Sequence, residues 1–157
     1  MRCRLILLEP VKGNIISEEI PKIVGEVGID YSHCAIEVEG DQIVEAEMMG
    51  VQETPRIVWE RKNADRKKIY SDYFESAINP FDEVGTPYDY ASYVNWLGNF
   101  AFKKIYPKLA LWFINRESKT TIQCFQLGAK IYGVKNYSVA TPQLLLQLPI
   151  FDYLKVA

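Results

Sequence analysis

Histidine, cysteine and net charge are all scarce in this chain of 157 residues. One of its three cysteines must stay unpaired in a monomer, and the three form neither a disulfide framework nor a CxxC metal pattern. Eighteen lysines and arginines against twenty acidic residues give a net charge of −2. Because there is no basic excess, the composition gives no electrostatic reason to expect nucleic-acid binding.

Long apolar runs are missing as well. The N-terminal run, residues 5–8, is too short for the core of a signal peptide, and no uncharged stretch approaches the roughly 20 residues of a membrane-spanning helix. We therefore expect a soluble protein of the cytoplasm, where cysteines stay reduced. The hydrophobic content of 48% is that of an ordinary globular protein, and the length suits a single domain over residues 1–157.

Apolar periodicity predicts strands early in the chain and helices late. Strands are expected at 5–8, 57–59 and 68–70, with a hairpin over 31–48 that turns near Gly40. Helices are expected at 17–28, at 71–78, from 87 to a break at Pro107, at 109–114, at 122–132 and from 141. Because the strands cluster and do not alternate with helices, the predicted fold class is α+β with an antiparallel sheet packed against helices.

The charges fall into two blocks. Six acidic residues lie between positions 37 and 53, and six basic residues follow between positions 56 and 68. We interpret the two blocks as solvated strand edges that face each other.

His33 is the only histidine, and therefore the only side chain whose unperturbed pKa lies near neutrality. A single histidine is more often structural than catalytic. This one lies at the start of the predicted hairpin, among carboxylates that could orient it, so a catalytic role depends on a nucleophile within its reach.

Cys124 is the candidate nucleophile. Cys3 and Cys34 alternate with apolar residues of predicted strands and are expected in the core. Cys124 is expected as the third residue of a helix capped by Thr121, where free backbone N–H groups and the helix dipole favour a thiolate. The alternative is a cysteine that simply packs in the core.

A third group should hold the imidazole of His33. Residues twelve apart across a hairpin with an odd-length turn share a face, which would place Glu45 beside His33. Its carboxylate could accept a hydrogen bond from Nδ1 and leave Nε2 to take the thiol proton. Glu47 and Gln52 are alternatives, and a two-residue turn would put Glu45 on the opposite face. Nearby carboxylates should raise the pKa of His33, although burial opposes them.

Four segments of the chain carry a family resemblance. They are Tyr31-Ser32-His33-Cys34-Ala35-Ile36-Glu37-Val38 with Val44-Glu45-Ala46, then Gly85-Thr86-Pro87-Tyr88-Asp89-Tyr90, then Gln123-Cys124-Phe125-Gln126-Leu127, and last Thr141-Pro142-Gln143-Leu144. In this order they resemble the circularly permuted NlpC-type amidases, a papain-like group that includes the YiiX-like bacterial proteins and is related to lecithin:retinol acyltransferase. Phe125 and Gln126 depart from the small residue and the glutamate that usually follow the family's cysteine.

The resemblance implies a cysteine hydrolase, either an amidase or peptidase or a lipid-ester hydrolase or acyltransferase, that works through an acyl-enzyme. Cys124 would be the nucleophile, His33 would carry the proton and Glu45 would orient it, with no cofactor and no metal. The residues expected to contact substrate are Tyr31, Tyr88 and Phe125. The substrate would be a cell-wall peptide amide or a lipid acyl bond. Without a signal peptide, a cell-wall substrate would require export or release by lysis, as for a phage-encoded protein.

The alternative function is a catalytically silent binding module. Between Tyr93 and Phe113, aromatic side chains are interleaved with lysines at positions 103, 104 and 108. Two core helices would explain this pattern. An exposed aromatic and lysine surface would instead suit a protein partner or peripheral contact with a membrane.

Overall fold

The computed structural model describes residues 1–13, 18, 30–90 and 121–155. The strands in this part are Arg2–Leu8 (β1), His33–Val38 (β2), Gln42–Glu47 (β3), Gly50–Pro55 (β4), Lys68–Tyr70 (β5) and Phe74–Glu75 (β6). In the same ranges, α-helices run over Arg56–Lys62 (α1), Cys124–Tyr132 (α2) and Pro142–Leu146 (α3). Short 3-10 helices lie at Pro80–Glu83, Tyr137–Val139 and Pro149–Lys155.

The strands form one antiparallel sheet in the order β4-β3-β2-β1-β5. Strand β6 also pairs with β1, at its start, whereas β5 pairs with its end. An antiparallel sheet with packed helices confirms the α+β class predicted from the clustering of strands.

Both faces of the central strands are covered. On one face, apolar side chains of β1 and β2 pack with helices α2 and α3, and this core includes Leu5, Leu7, Cys34, Ile36, Leu127 and Leu145. On the opposite face, a smaller cluster consists of Ile6, Leu8, Ala35, Ile43 and Trp59 of α1. Burial on both faces explains why β1 is a nearly continuous apolar run and does not alternate with polar residues.

The β2–β3 hairpin has the odd-length turn that the sequence analysis considered. Residues 39–41 connect the strands, and Gly40 and Asp41 adopt positive φ values of 109° and 67°. Ala35 pairs with Glu45 across the hairpin. His33 and Glu45 therefore have the same parity and lie on the same face of the sheet.

Two predicted elements are wrong. Residues 57–59 belong to helix α1 and not to a strand: Ile57 and Val58 are exposed, and the residue buried from this segment is Trp59. Packing of one large side chain outweighs the strand propensity of its β-branched neighbours. The expected helix 71–78 is absent, because the Ser71 hydroxyl accepts a hydrogen bond from the Leu5 N–H (2.9 Å) and the chain continues into β6.

Helix α2 begins later than expected, and Thr121 is not its cap. Ile122 pairs with Tyr88 in an isolated parallel bridge, which holds this part of the chain extended. Gln123 is the N-cap, so Cys124 is the first helical residue and not the third. The same bridge shows that no helix opens at Pro87.

Both helix ends further along the chain agree with the sequence. Gly133 ends α2 in the left-handed conformation, with φ of 98°. The Thr141 hydroxyl caps α3 by accepting a hydrogen bond from the Leu144 N–H (3.2 Å).

Other predictions lie outside the described residues. These are the helix at 17–28, most of the helix after 87, the helix at 109–114 and the aromatic and lysine segment. Within the ranges that the structure does describe, none of the helices is long and apolar enough to cross a membrane.

Candidate functional site

Cys124 lies at the start of helix α2, with 4% of its surface exposed. The first backbone N–H groups of a helix have no intrahelical acceptor, and together with the helix dipole they favour negative charge nearby. The thiol is therefore closer to the helix start than the sequence predicted, and it stays within the first turn.

His33 is the first residue of β2, and its side chain is 14% exposed. Its imidazole is hydrogen-bonded to Glu45, and Cys124 lies close enough to the ring to raise its pKa. The structure thus brings together the three residues that the sequence analysis assigned to one site, from a strand start, a neighbouring strand and a helix start.

The ring nitrogens have the opposite partners from those expected. His33 Nε2 lies 2.7 Å from Glu45 Oε2, which leaves Nδ1 for Cys124. Glu45 pairs with Ala35, so it is diagonal to His33 and not directly opposite. Diagonal side chains are farther apart than directly opposite ones. Nε2, the ring nitrogen farther from the backbone, is therefore the one that reaches the Glu45 carboxylate.

Glu45 is a buried carboxylate with several partners, and its side chain is 3% exposed. Oε2 accepts hydrogen bonds from His33 and from Trp59 Nε1 (2.9 Å), and Lys62 Nζ lies 4.0 Å from Oε1. Burial raises the pKa of Glu45, but the hydrogen bonds and positive charges of these partners outweigh burial and lower it below its usual value. The carboxylate is therefore ionised at neutral pH.

The pKa of His33 is raised, as predicted. Burial lowers it, but hydrogen bonds with Cys124 and Glu45 and the charges of both groups together raise the pKa from 6.5 to about 10. The protonated imidazole thus lies between the ionised Glu45 carboxylate and Cys124.

The other acidic residues on this face have different partners. Glu47 is paired with Lys62, at 2.5 and 2.7 Å. Buried Glu37 accepts hydrogen bonds from Arg4 (2.7 Å), Arg56 (3.1 Å) and Tyr73 (2.8 Å). The interpretation of the charge blocks as two solvated strand edges is therefore wrong: part of the acidic block is buried, and basic residues of α1 pair with it.

The other two cysteines lie in the core, as predicted. Cys3 and Cys34 are both fully buried, and burial raises the pKa of each thiol. Cys34 lies against Gly128 so closely that a Cβ added there would be 2.8 Å from its Sγ. This close approach places helix α2 directly on β2.

The structure places the three expected substrate-contact residues around the core. Tyr31 and Tyr88 are half-buried and pack against it, and Phe125 is buried within it at 2% exposure. The Phe125 side chain therefore points into the core. Contact with a substrate stays a prediction for all three.

The departure at Gln126 has a structural reason. Its Oε1 accepts a hydrogen bond from the Gln123 N–H (2.9 Å), and its Nε2 donates to the Ser138 carbonyl (2.8 Å). An amide can do both at once, whereas an ionised glutamate has no donor for the second contact. Gln126 thus fixes the first turn of α2, on which Cys124 lies.

Sequence reasoning missed Trp59 and Lys62. Both contact Glu45 from helix α1. Residues three apart share a helix face, so a helix assigned after Pro55 would have pointed to this pair. The strand assigned to residues 57–59 concealed it.

One group of side chains in the described part of the chain has the spacing of a metal site. The ligand atoms of His33, Glu45 and Glu47 lie within 4.8 Å of one another. However, Glu45 is hydrogen-bonded to His33 and Trp59, and Glu47 is paired with Lys62. A metal ion would have to replace these contacts, so the three side chains are not an open ligand set.

The site therefore places a cysteine at a helix start, a histidine and a buried carboxylate in one line, with the histidine hydrogen-bonded to the carboxylate. Such a line can activate a thiol for attack on a carbonyl carbon. No family model, no curated protein and no solved structure matches this chain, so a function for it rests on the geometry of the site and on the motifs of its sequence.

Proposed function

We propose that the protein is a cysteine hydrolase or acyltransferase. The observation that carries the proposal is the placement of His33 between Cys124 and Glu45, with Nε2 hydrogen-bonded to the carboxylate. Each group has the chemistry that its role requires, because the thiol can be ionised, the imidazole can carry a proton and the carboxylate can hold the imidazole.

The proposed reaction has two steps. The Cys124 thiolate attacks the carbonyl carbon of an amide or ester, and His33 donates its Nδ1 proton to the departing amine or alcohol, which leaves a thioester on Cys124. In the second step water, or an acceptor alcohol or amine, loses a proton to Nδ1 as it attacks the thioester, and Cys124 leaves as the thiolate. The proton returns to His33, so the site ends as it began.

Two features support stabilisation of the negative charge that develops on the carbonyl oxygen. Backbone N–H groups at the start of α2 lie beside the nucleophile and have no acceptor four residues earlier. The hydrogen bond from the Gln123 N–H to Gln126 Oε1 holds this turn in one conformation.

The permuted NlpC-type, papain-like fold is part of the same proposal. Its support is the order of a histidine hairpin followed by a cysteine helix, together with the antiparallel sheet. The resemblance gives the substrate class, a cell-wall peptide amide or a lipid acyl bond, with Tyr31, Tyr88 and Phe125 near the substrate. Three free cysteines suit a reducing compartment such as the cytoplasm.

An activated ester tests the proposal without knowledge of the substrate. Incubation with p-nitrophenyl acetate should give a burst of p-nitrophenol, and mass spectrometry after an acid quench should locate the acetyl group on Cys124. Cys124→Ala should abolish the burst, and His33→Ala should slow it by roughly 100-fold. Cys34→Ala is the matched control, since its thiol is buried on β2, and should retain the burst.

Equal acetylation of wild type and Cys124→Ala would contradict the proposal. If it holds, cell-wall peptides and phospholipid vesicles, each incubated with the enzyme, distinguish the two substrate classes by their products. Vesicle flotation tests the binding-module alternative, whose aromatic segment lies outside the described residues. That alternative gains support if Cys124→Ala floats as well as wild type and neither protein forms an acyl-enzyme.

A further inference from the structure

We infer that Trp59 is a positioning residue that holds the Glu45 carboxylate, and through it the His33 ring, in line with Cys124. Its catalytic consequence rests on the proposed function, whereas the positioning itself can be measured without a substrate. The strand predicted for residues 57–59 concealed this tryptophan.

The first observation is that one oxygen of Glu45 serves two donors. Oε2 accepts from His33 Nε2 at 2.7 Å and from Trp59 Nε1 at 2.9 Å. An indole N–H can only donate, so it requires an acceptor, and a carboxylate oxygen has lone pairs for both partners. Trp59 therefore fixes the carboxylate in the rotation that presents Oε2 to His33.

The second observation is that Trp59 is itself fixed. It is fully buried and packs with Ile6, Leu8, Ala35 and Ile43 on the face of the sheet opposite the main core. A tryptophan enclosed in this way has little freedom to rotate. The donor position is set by packing and does not depend on Glu45.

The third observation is a closed circuit of contacts that returns to the histidine. The Trp59 carbonyl accepts from Asn63 Nδ2 (3.1 Å), Asn63 Oδ1 accepts from Arg66 Nη1 (3.0 Å), and Arg66 Nη2 donates to Ser32 Oγ (3.2 Å). Ser32 directly precedes His33. Helix α1 and the residues after it are thus connected to the Ser32 side chain, just before β2, at one end of the circuit, and through Glu45 to the imidazole at the other.

The charges around the circuit are consistent with this role. Burial lowers the pKa of Arg66, while the charges of Glu45, Cys124 and Glu47 raise it, so its guanidinium lies within electrostatic range of the site. Lys62 is the other cation beside Glu45. A substitution at Trp59 leaves both of these cations in place, so a variant that keeps the ring shape tests the indole hydrogen bond.

The test measures the titration of the His33 ring by NMR in protein with labelled histidine, together with the alkylation rate of Cys124 at neutral pH. His33 is the only histidine, so its signals need no assignment by mutation. The variant is Trp59→Phe, which keeps an aromatic ring and removes the donor. Tyr70→Phe is the matched control: Tyr70 packs against the same cluster, and its hydroxyl bonds Glu60, outside the site.

We expect Trp59→Phe to lower the His33 midpoint by about one pH unit, because without the indole donor the carboxylate can rotate away from the ring, and its charge then supports the imidazolium less. Alkylation of Cys124 should slow by roughly tenfold, and Tyr70→Phe should change neither value. If Trp59→Phe does not fold, 3-benzothienylalanine at position 59 replaces the N–H by sulfur in the same shape, and the same result is expected.

An unchanged midpoint in a folded variant would overturn the inference, since Trp59 would then only fill space. A raised His33 midpoint in Trp59→Phe would overturn the inference as well. It would mean that the indole N–H only weakens the negative charge of Glu45 and does not hold the carboxylate in position. Failure of the proposed function has a different signature, which is ester acylation that does not depend on Cys124.

Discussion

His33 Nε2 and Glu45 Oε2 lie 2.7 Å apart across the β2–β3 hairpin. This contact decides which ring nitrogen is engaged by the carboxylate, and it leaves Nδ1 as the atom that would exchange a proton with Cys124 in the proposed reaction. It depends on the three-residue turn between the strands, because a turn one residue shorter or longer would move Glu45 to the other face of the sheet.

The site predicts that one cysteine reacts before the other two. Brief treatment of the native protein with iodoacetamide near neutral pH should label Cys124 first, because its thiol lies at a helix start beside the His33 ring. Cys3 and Cys34 are fully buried. Peptide mapping by mass spectrometry gives the order, and faster labelling at Cys34 would count against a poised thiolate.

Substitution of the two glutamates of β3 by glutamine should affect turnover to different degrees. Glu45→Gln should fold and reduce turnover, since it removes the charge beside His33, but by less than Cys124→Ala or His33→Ala, because the amide oxygen can still accept from Nε2. Glu47→Gln should have little effect on turnover, because Glu47 pairs with Lys62 on the surface. Steady-state rates with an activated ester check this, and a silent Glu45→Gln with a damaging Glu47→Gln would refute the assignment.

Gln126→Glu should destabilise the fold by about 1–3 kcal/mol, because the new carboxylate faces the Ser138 carbonyl with no donor. The loss should diminish at acidic pH, where a protonated glutamate can donate. Urea denaturation at two pH values measures both effects. Gln126→Ala is the reference that removes the side-chain hydrogen bonds without adding charge, and a Glu variant as stable as wild type would exclude the contact.

Gly128→Ala should destabilise the protein by about 1–3 kcal/mol, because the added methyl group would lie 2.8 Å from Cys34 Sγ. Removal of that sulfur in the double variant Gly128→Ala, Cys34→Ala should recover part of the loss. A double-mutant cycle of unfolding free energies measures the coupling. Additive effects of the two substitutions would mean that α2 does not pack on β2 at this point.

The sequence predicted the site better than it predicted the surrounding elements. The parity of His33 and Glu45 depends on the turn length alone, and the burial of Cys3 and Cys34 depends on strand alternation. These features are local, and local patterns can be read from one chain.

The errors arose where distant contacts decide the structure. The bridge between Ile122 and Tyr88 delays the start of α2, and pairing of β6 with β1 replaces the helix expected after Ser71. Residues 57–59 form a helix despite two β-branched side chains, because the helix buries Trp59. No property of these residues taken alone specifies their partners, which is why the role of Trp59 was not foreseen.

The titration of the His33 imidazole tests the central claim most directly, since this single histidine is placed between Cys124 and Glu45. We predict that its NMR signals keep the protonated form through neutral pH and titrate near pH 10, well above the ordinary value of 6.5. The midpoint should fall in Cys124→Ser and in Glu45→Gln, because each variant removes one of the two groups that raise it. A wild-type midpoint near 6.5 that neither variant shifts would contradict the account.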